Sequence, residues 1–519
     1  MKPYLLVLFS GFLFISNFIS AQNQPPVVDA IQMSIDVDAG IITIDYSVMD
    51  AEGDAISLWL KVSEDGQYFY IPDNGLSGDV GENVSSGQNE LSWDYPNTLD
   101  PRELEFQLSV WDDAEIDIQE LVNRVDSNRM RDLLSAYQGI RHFQTNPLAL
   151  AAIKDSIEQR FENSELLVRR QEFQYNGTAG HNIIGKKAGL EDEAKIWIVD
   201  GHFDTVEDSP GADDNCSAVV GMLECLEVLK DIPCKNSIQF MGFDFEEQGL
   251  VGSRRYVDNE IAPYEDILGV FNFEMIGYYS NEPGSQSLPF GFDILFPEAA
   301  QAVADNDFRG DFITNVGSEA STDLMNFFEN AASSYVPDLR VVSVEVPGTG
   351  SIAPDLRRSD HAPFWDEGYP ALMLTNTANF RNFNYHQPED TLESLNFTFM
   401  SRVVQATLGA LLDAAEPVNG RTYTVESSVS YRHVHISKSA RLVIFPNPAE
   451  SQVKLHIEKG GNYLYDIGIY SMTGQQVYSG QMLGKDEREI NLNAFPAGHY
   501  IVVASFFENT LSSELLIQK

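Results

Sequence analysis

Two histidines and a set of acidic residues carry the chemistry of this sequence. His202 and Asp204 follow the apolar run Ile196–Val199, Glu246 and Glu247 follow Ser237–Phe245, Glu274 closes Ile267–Phe273, and Ala371–Thr375 leads into a loop that holds His386. The turn Pro210-Gly-Ala-Asp-Asp-Asn215 precedes an apolar stretch of helical character, Ala218–Leu229. Two imidazoles among several carboxylates make a borderline-hard donor set that suits zinc. One carboxylate shared between two ions lets them stand ~3.5–4 Å apart around a common hydroxide. Asp204, two residues from His202 on an extended segment, can accept the ring's other N–H and fix its tautomer. Glu246 and Glu247 are adjacent, so their side chains diverge; one can ligate while its neighbour moves protons.

These residues need elements that bring them to one place. Each of the four apolar runs reads as a strand, and from about 165 to 415 such runs alternate with helical stretches, which predicts an α/β fold with a mixed sheet flanked by helices. Sites in open α/β sheets form at the carboxyl ends of strands, where all four runs deliver their polar residues. The turn carrying Asp213 and Asp214 points a carboxylate into the same crevice. Helical spacing also runs through Leu121, Val125, Met130 and Leu134 and through Leu150, Ile153, Ile157 and Phe161, with Thr145-Asn-Pro147 between. On either side the periodicity is two. Ile42/Ile44/Tyr46/Val48, Ile56/Leu58/Leu60/Val62 and Leu104/Phe106/Leu108/Val110 predict a β-sandwich over 24–112, similar to an immunoglobulin or fibronectin type III module. Val453/Leu455/Ile457 and Tyr500/Val502/Ala504 predict another over 443–519. The expected organisation is therefore an all-β domain, an α/β domain over 115–420 and a second all-β domain.

Taken in order, Gly201-His-Phe-Asp204, Pro210–Asn215, Glu246-Glu-Gln-Gly-Leu-Val-Gly-Ser253, Ser359-Asp-His-Ala-Pro-Phe364 and Tyr385-His-Gln-Pro-Glu-Asp390 resemble the M28 family of zinc aminopeptidases. The resemblance covers roughly 120–415. It implies a zinc-exopeptidase-like fold and two Zn²⁺, one held by His202, Asp214 and Glu274 and the other by Asp214, Glu247 and His386, with Asp214 bridging. It further implies a cis peptide at Asp214–Asn215, Glu246 as general base, and hydrolysis of N-terminal residues from peptides by a metal-bridging hydroxide. Two features depart from the family pattern. Glu274 stands where secreted relatives usually have Asp, and Arg358 stands where some have a tyrosine that steadies the intermediate. The arginine can do the same or pair with an acid. A glutaminyl cyclase on the same fold and a non-catalytic binding protein are the alternatives; the paired acids and the full ligand set favour the peptidase. Substrate preference is expected to lie in loops 278–290 and 343–358. Ser359, Asp360 and His361 suggest a hydrolase triad only superficially. Read as consecutive strand residues they point to opposite faces, which leaves them structural or supporting roles.

The C-terminal stretch resembles the sorting domain of the type IX secretion system, through Phe445-Pro-Asn-Pro448, Ser471-Met-Thr-Gly474, Ala497-Gly-His-Tyr500 and Lys519. It implies that machinery as a partner. The start agrees: Lys2 precedes an apolar run ending at Ile19-Ser-Ala21, which reads as a signal peptide, residues 1–21. No later run is long and apolar enough to span a bilayer, so a secreted or cell-surface protein is expected, with no transmembrane segment after maturation. Lys plus Arg number 33 against 78 Asp plus Glu, a net charge of -45 that disfavours nucleic acid and anionic lipid as partners. Cys216, Cys225 and Cys234 are too few for a disulfide framework, though Cys225 and Cys234 could pair. His142, His181, His433, His435, His456 and His499 have no metal-binding partners in sequence.

Overall fold

The computed structural model describes residues 23–37, 39–425, 430–431, 440–461, 464–506 and 509–519. The apolar start 1–21 and His433 and His435 lie outside the described residues.

β-Branched and aromatic residues between 167 and 375 gather in short runs that form one eight-stranded sheet. In chain order its strands are β1 (Leu167–Tyr175), β2 (Thr178–Lys187), β3 (Asp192–His202), β4 (Asn236–Phe243), β5 (Asp266–Glu274), β6 (Phe312–Ser318), β7 (Arg340–Val346) and β8 (Ala371–Thr375). Across the sheet they run β7-β6-β8-β5-β3-β4-β2-β1. The central block β8-β5-β3-β4 is parallel, while β2 joins β4 and β6 joins β8 antiparallel. Central strands are buried on both faces and so read as continuous apolar runs, as Ile196–Val199 and Ala371–Leu374 do.

Helices cover both faces. One core includes α1 (Ser217–Leu229) and α2 (Phe397–Ala415) with Ser127–Tyr137 and Pro147–Asn163; the other includes Val251–Asn259, Pro297–Ala304 and His361–Asp366. Asn146 and Asn396 start two of these helices by accepting from Ala149 N at 3.3 Å and Phe399 N at 2.9 Å. Pro147 follows Asn146 at the first helical position, where its missing N–H costs nothing.

The N-terminal sandwich pairs Val27–Asp36, Ile41–Met49, Gly87–Asp94 and Leu76–Gly78 in one sheet with Ile56–Ser63, Gly81–Val84 and Glu105–Asp112 in the other. The second sheet also takes Asn419–Thr424, antiparallel to Glu105–Asp112 with Asn419 opposite Asp112. The chain thus leaves the sandwich at Asp112 and, after the α/β domain, returns beside it. The alternation of 24–112 does not reveal this strand, because its partner lies some 300 residues away in sequence. Lys61 is buried, donates to Gly189 O at 2.9 Å and pairs with Glu193, which also accepts from Phe69 N at 3.2 Å. The C-terminal strands make two further sheets.

One open question closes and one expectation changes. Cys216, Cys225 and Cys234 are all free and buried, so Cys225 and Cys234 form no disulfide. Ser359-Asp360-His361 does not lie on a strand but leads into the helix His361–Asp366; a proline and bulky apolar residues after His361 favour a short helical cover over another strand.

Candidate metal centre

Strand register sets the site. β3 and β5 pair Asp200 with Asn272, so His202 and Glu274, each two residues further on, emerge from neighbouring parallel strands at the same edge. β4 pairs Phe243 with His202, and the turn after it carries Glu246 and Glu247 to the other side of His202. His386 arrives on the loop after β8, whose Thr375 pairs with Glu274.

Asp214 reaches the centre from the turn before α1. Gly211 there has φ +58°, and a side chain at that position would run into Asp214 O. Buried Arg141 holds the turn, donating to Pro210 O at 3.0 Å and Gly211 O at 3.1 Å. Asp390 accepts from Asp213 N at 3.0 Å and Asp214 N at 3.1 Å. Asp213 accepts from Gly277 N, Asn376 Nδ2 and Asn382 Nδ2, each at 2.8 Å. The Asp214–Asn215 peptide is cis.

Asp214 therefore stands between the imidazoles, with Oδ1 3.4 Å from His202 Nε2 and Oδ2 3.1 Å from His386 Nε2. Glu274 Oε2 lies 3.5 Å from His202 Nε2, and Glu247 Oε2 lies 3.2 Å from His386 Nε2. Glu246 Oε2 is 3.8 Å from His202 Nε2. Two compact donor groups result, each with its donor atoms within 4.8 Å of one another: His202, Glu246 and Glu274, and Asp214, Glu247 and His386.

Neighbours fix the donors. Asp204 Oδ1 is 3.3 Å from His202 Nδ1, and its two oxygens accept from Glu246 N at 3.1 Å and Glu247 N at 3.2 Å. One carboxylate thus lies against a ring nitrogen and holds the turn bearing both glutamates. Glu274 Oε2 accepts from Asn215 Nδ2 at 3.1 Å and Ser359 Oγ at 2.8 Å. Sequence alone marks no role for Asn215, Asp390 or Arg141. The first two lie inside the quoted motifs, whereas Arg141 acts on backbone oxygens, which leave no mark in a sequence. His361 turns away to Asn272 and Leu356 O. Phe245, Met275 and His386 have φ of 56°, 56° and 60°. The backbone is thus held in the left-handed region beside Glu246 and Glu274 and at His386 itself, a concentration typical of functional sites.

The electrostatics favour a cation. Burial pushes the Glu246 carboxyl well up, and burial with the Asp214 charge raises Glu247 to about 7. Burial acts on Asp214 too, but the two imidazoles outweigh it and hold this carboxyl below the usual range. His202 Nε2, His386 Nε2, Asp214 Oδ2 and Glu247 Oε1 are buried without hydrogen-bond partners. Buried polar atoms are ordinarily satisfied. Imidazole nitrogens and carboxylate oxygens left unpaired in one centre fit the donor preferences of zinc.

Beside Glu274 opens a pocket that is continuous with solvent. Leu288, Phe292, Phe312, Val342, Val344 and Met373 line it, with Arg358 and Tyr385 alongside. Residues from both loops expected to set preference, 278–290 and 343–358, contribute. Arg358 donates to Tyr385 Oη at 2.9 Å and Asn379 Oδ1 at 3.1 Å and lies 3.6 Å from Asp355, and Tyr385 stacks on His386 at 3.8 Å.

Residues 182–411 match the model of peptidase family M28. The Escherichia coli (strain K12) protein YfbL, itself uncharacterized, is 30% identical over 272 residues, which is 50% of this chain and 78% of that protein. The chain belongs to peptidase family M28. Aminopeptidase YwaD of Bacillus subtilis (strain 168) is 26% identical over 266 residues, 49% of this M28 chain, which spans 50% of that relative's length. A solved aminopeptidase from Aneurinibacillus sp. strain AM-1 aligns with 58% of the M28 chain and 97% of its own at 16% identity and a TM-score of 0.45. Residues 443–518 match the secretion system C-terminal sorting domain, so this M28 peptidase is a secreted or cell-surface protein. No helix among the described residues is long and apolar enough to cross a membrane.

Proposed function

We propose that the protein is a secreted di-zinc aminopeptidase. The observation that carries this reading is Asp214, whose two oxygens face the two imidazoles while Glu246 and Glu247 border the same space. His202, Asp214 and Glu274 would hold one ion and Asp214, Glu247 and His386 the other. When bound, the ions supply Lewis acidity toward the first peptide carbonyl and activate water. Glu246 accepts a proton from the attacking water and delivers it to the departing amine. Asp204 keeps the His202 ring in place, and the acidic surroundings attract the substrate's free ammonium group. Metal analysis of the purified chain with an aminoacyl-nitroanilide assay tests the reading. Two zinc ions and release of nitroaniline are expected; a single zinc with pyroglutamate formation would indicate the cyclase instead.

The apolar pocket beside Glu274 receives the side chain of the N-terminal residue. Leucine and phenylalanine substrates are expected to exceed alanine by at least tenfold in kcat/KM, since one methylene in an apolar pocket is worth roughly 1–3 kcal/mol. A side-chain panel checks this, and preference for glycine or glutamate would exclude the pocket as the determinant.

Processing should follow the two ends. Protein free in the medium is expected to lack 1–21 and 443–519 by mass spectrometry. Lys519 retained on such protein would rule out removal of the sorting segment.

A further inference from the structure

A second cluster of oxygen donors shares no residue with the candidate metal centre and lies where the N-terminal sandwich hands the chain to the α/β domain. Asp50 and Asp54 belong to the turn between strands Ile41–Met49 and Ile56–Ser63, and Asp112 ends strand Glu105–Asp112. One carboxylate oxygen of each lies within 4.8 Å of the others. These are not solvated surface acids: Asp50 is 7% exposed and Asp112 3%.

The turn occupies only half of Asp50. Its Oδ1 accepts from the backbone N–H groups of Glu52 at 3.0 Å, Gly53 at 2.6 Å and Asp54 at 2.8 Å. Its Oδ2 is buried and has no hydrogen-bond partner. Asn23 repeats the pattern from a different segment. Its Nδ2 donates to Asp54 Oδ2 at 2.9 Å and Asp112 Oδ2 at 3.3 Å, while its Oδ1 is buried and unpartnered. Asn419, first residue of the returning strand, donates to Asp112 Oδ2 at 2.6 Å. Lys61, a buried cation of the same sandwich, is committed to Glu193. Burial, with the charges of Asp50 and Asp54, raises the Asp112 carboxyl.

Leaving a buried oxygen without a partner costs ~1–3 kcal/mol, and crowding carboxylates adds to that cost unless a cation neutralises them. We propose that Asp50, Asp54, Asp112 and Asn23 bind a structural calcium ion. All the donors are oxygens, which excludes the imidazole and thiolate sets that favour zinc. Calcium accepts six to eight oxygens in flexible geometry, whereas magnesium demands a near-ideal octahedron. The donors come from three separated segments, and Asn419 ties in a fourth. The ion therefore clamps both passages of the chain between sandwich and α/β domain, independently of the peptidase reading.

The zinc-loaded full-length chain, exchanged into calcium-free buffer, is titrated with Ca²⁺ and separately with Mg²⁺ by calorimetry, and its melting is followed with and without Ca²⁺. One saturable Ca²⁺ site and a raised Tm are expected, with Mg²⁺ at least tenfold weaker. Asp54→Asn and Asp112→Asn should each weaken Ca²⁺ binding at least tenfold while zinc content stays constant. Asp54 is half-buried, so its variant tests the site even where Asp112→Asn fails to fold. No saturable Ca²⁺ binding by the native chain would overturn the proposal, as would unchanged affinity in Asp54→Asn or equal affinity for Mg²⁺.

Discussion

If the proposed di-zinc reading holds, Glu246→Gln is expected to keep the fold and both zinc ions while turnover falls by roughly 10²–10⁴-fold, the usual worth of a positioned acid–base group. The amide matches the carboxylate in size, and the backbone N–H of residue 246 still donates to Asp204 Oδ1, as it does at 3.1 Å in the native chain. What is lost, on the proposed mechanism, is the proton acceptor. Glu247→Gln should behave in the opposite way. Its carboxylate lies 3.2 Å from His386 Nε2, so the change removes a charged donor, lowers zinc affinity and leaves activity that partly returns with excess zinc. Metal analysis beside kinetics separates the two variants. Zinc loss in the Glu246 variant with full occupancy in the Glu247 variant would mean that the roles are reversed. Near-normal turnover in a zinc-loaded Glu246 variant would remove the base from the mechanism. Such reversal is a fair test, because the geometry alone groups Glu246 with His202 and Glu274 as readily as it groups Glu247 with His386.

What the sequence disclosed and what it hid follow from how each feature is encoded. Central parallel strands are buried on both faces, so β3, β4, β5 and β8 stand out as apolar runs, and each hands its polar residue to the carboxyl edge. His202, the two glutamates, Glu274 and His386 could be found this way because strand direction fixes the place. The turn carrying Asp213 and Asp214 was recognisable from its glycine and paired acids. What stayed hidden depends on distant or backbone partners. Asn419–Thr424 gains its identity only from pairing with Glu105–Asp112. Arg141 works through carbonyl oxygens that every residue has, and Asp390 through the N–H groups of Asp213 and Asp214. Ser359-Asp360-His361 reads as strand in sequence because the short helix it leads into has too few residues to display a 3.6-residue period.

Asp214→Asn is expected to have the widest effect at the centre, because both of its oxygens are engaged. Oδ1 lies 3.4 Å from His202 Nε2 and Oδ2 3.1 Å from His386 Nε2, and Asp390 fixes the residue's backbone N–H at 3.1 Å. An amide removes the negative charge and replaces one oxygen with a group that cannot donate a lone pair, so one position loses a ligand outright and the other keeps only a neutral one. Both ions should bind more weakly, and activity should fall below detection at zinc concentrations that saturate the native chain. Excess zinc should restore less than it restores in Glu247→Gln, where one donor of one group is changed. Asp204→Asn provides the scale. Loss of a residue that orients a ligand without contacting the metal costs ~10–100-fold in affinity, so Asp214→Asn should exceed Asp204→Asn at both positions. The measurement is zinc stoichiometry at fixed free zinc for the native chain and the three variants. If Asp214→Asn retained one tightly bound zinc while the other position emptied, Asp214 would serve a single ion. The two donor groups would then be separate sites rather than halves of one centre.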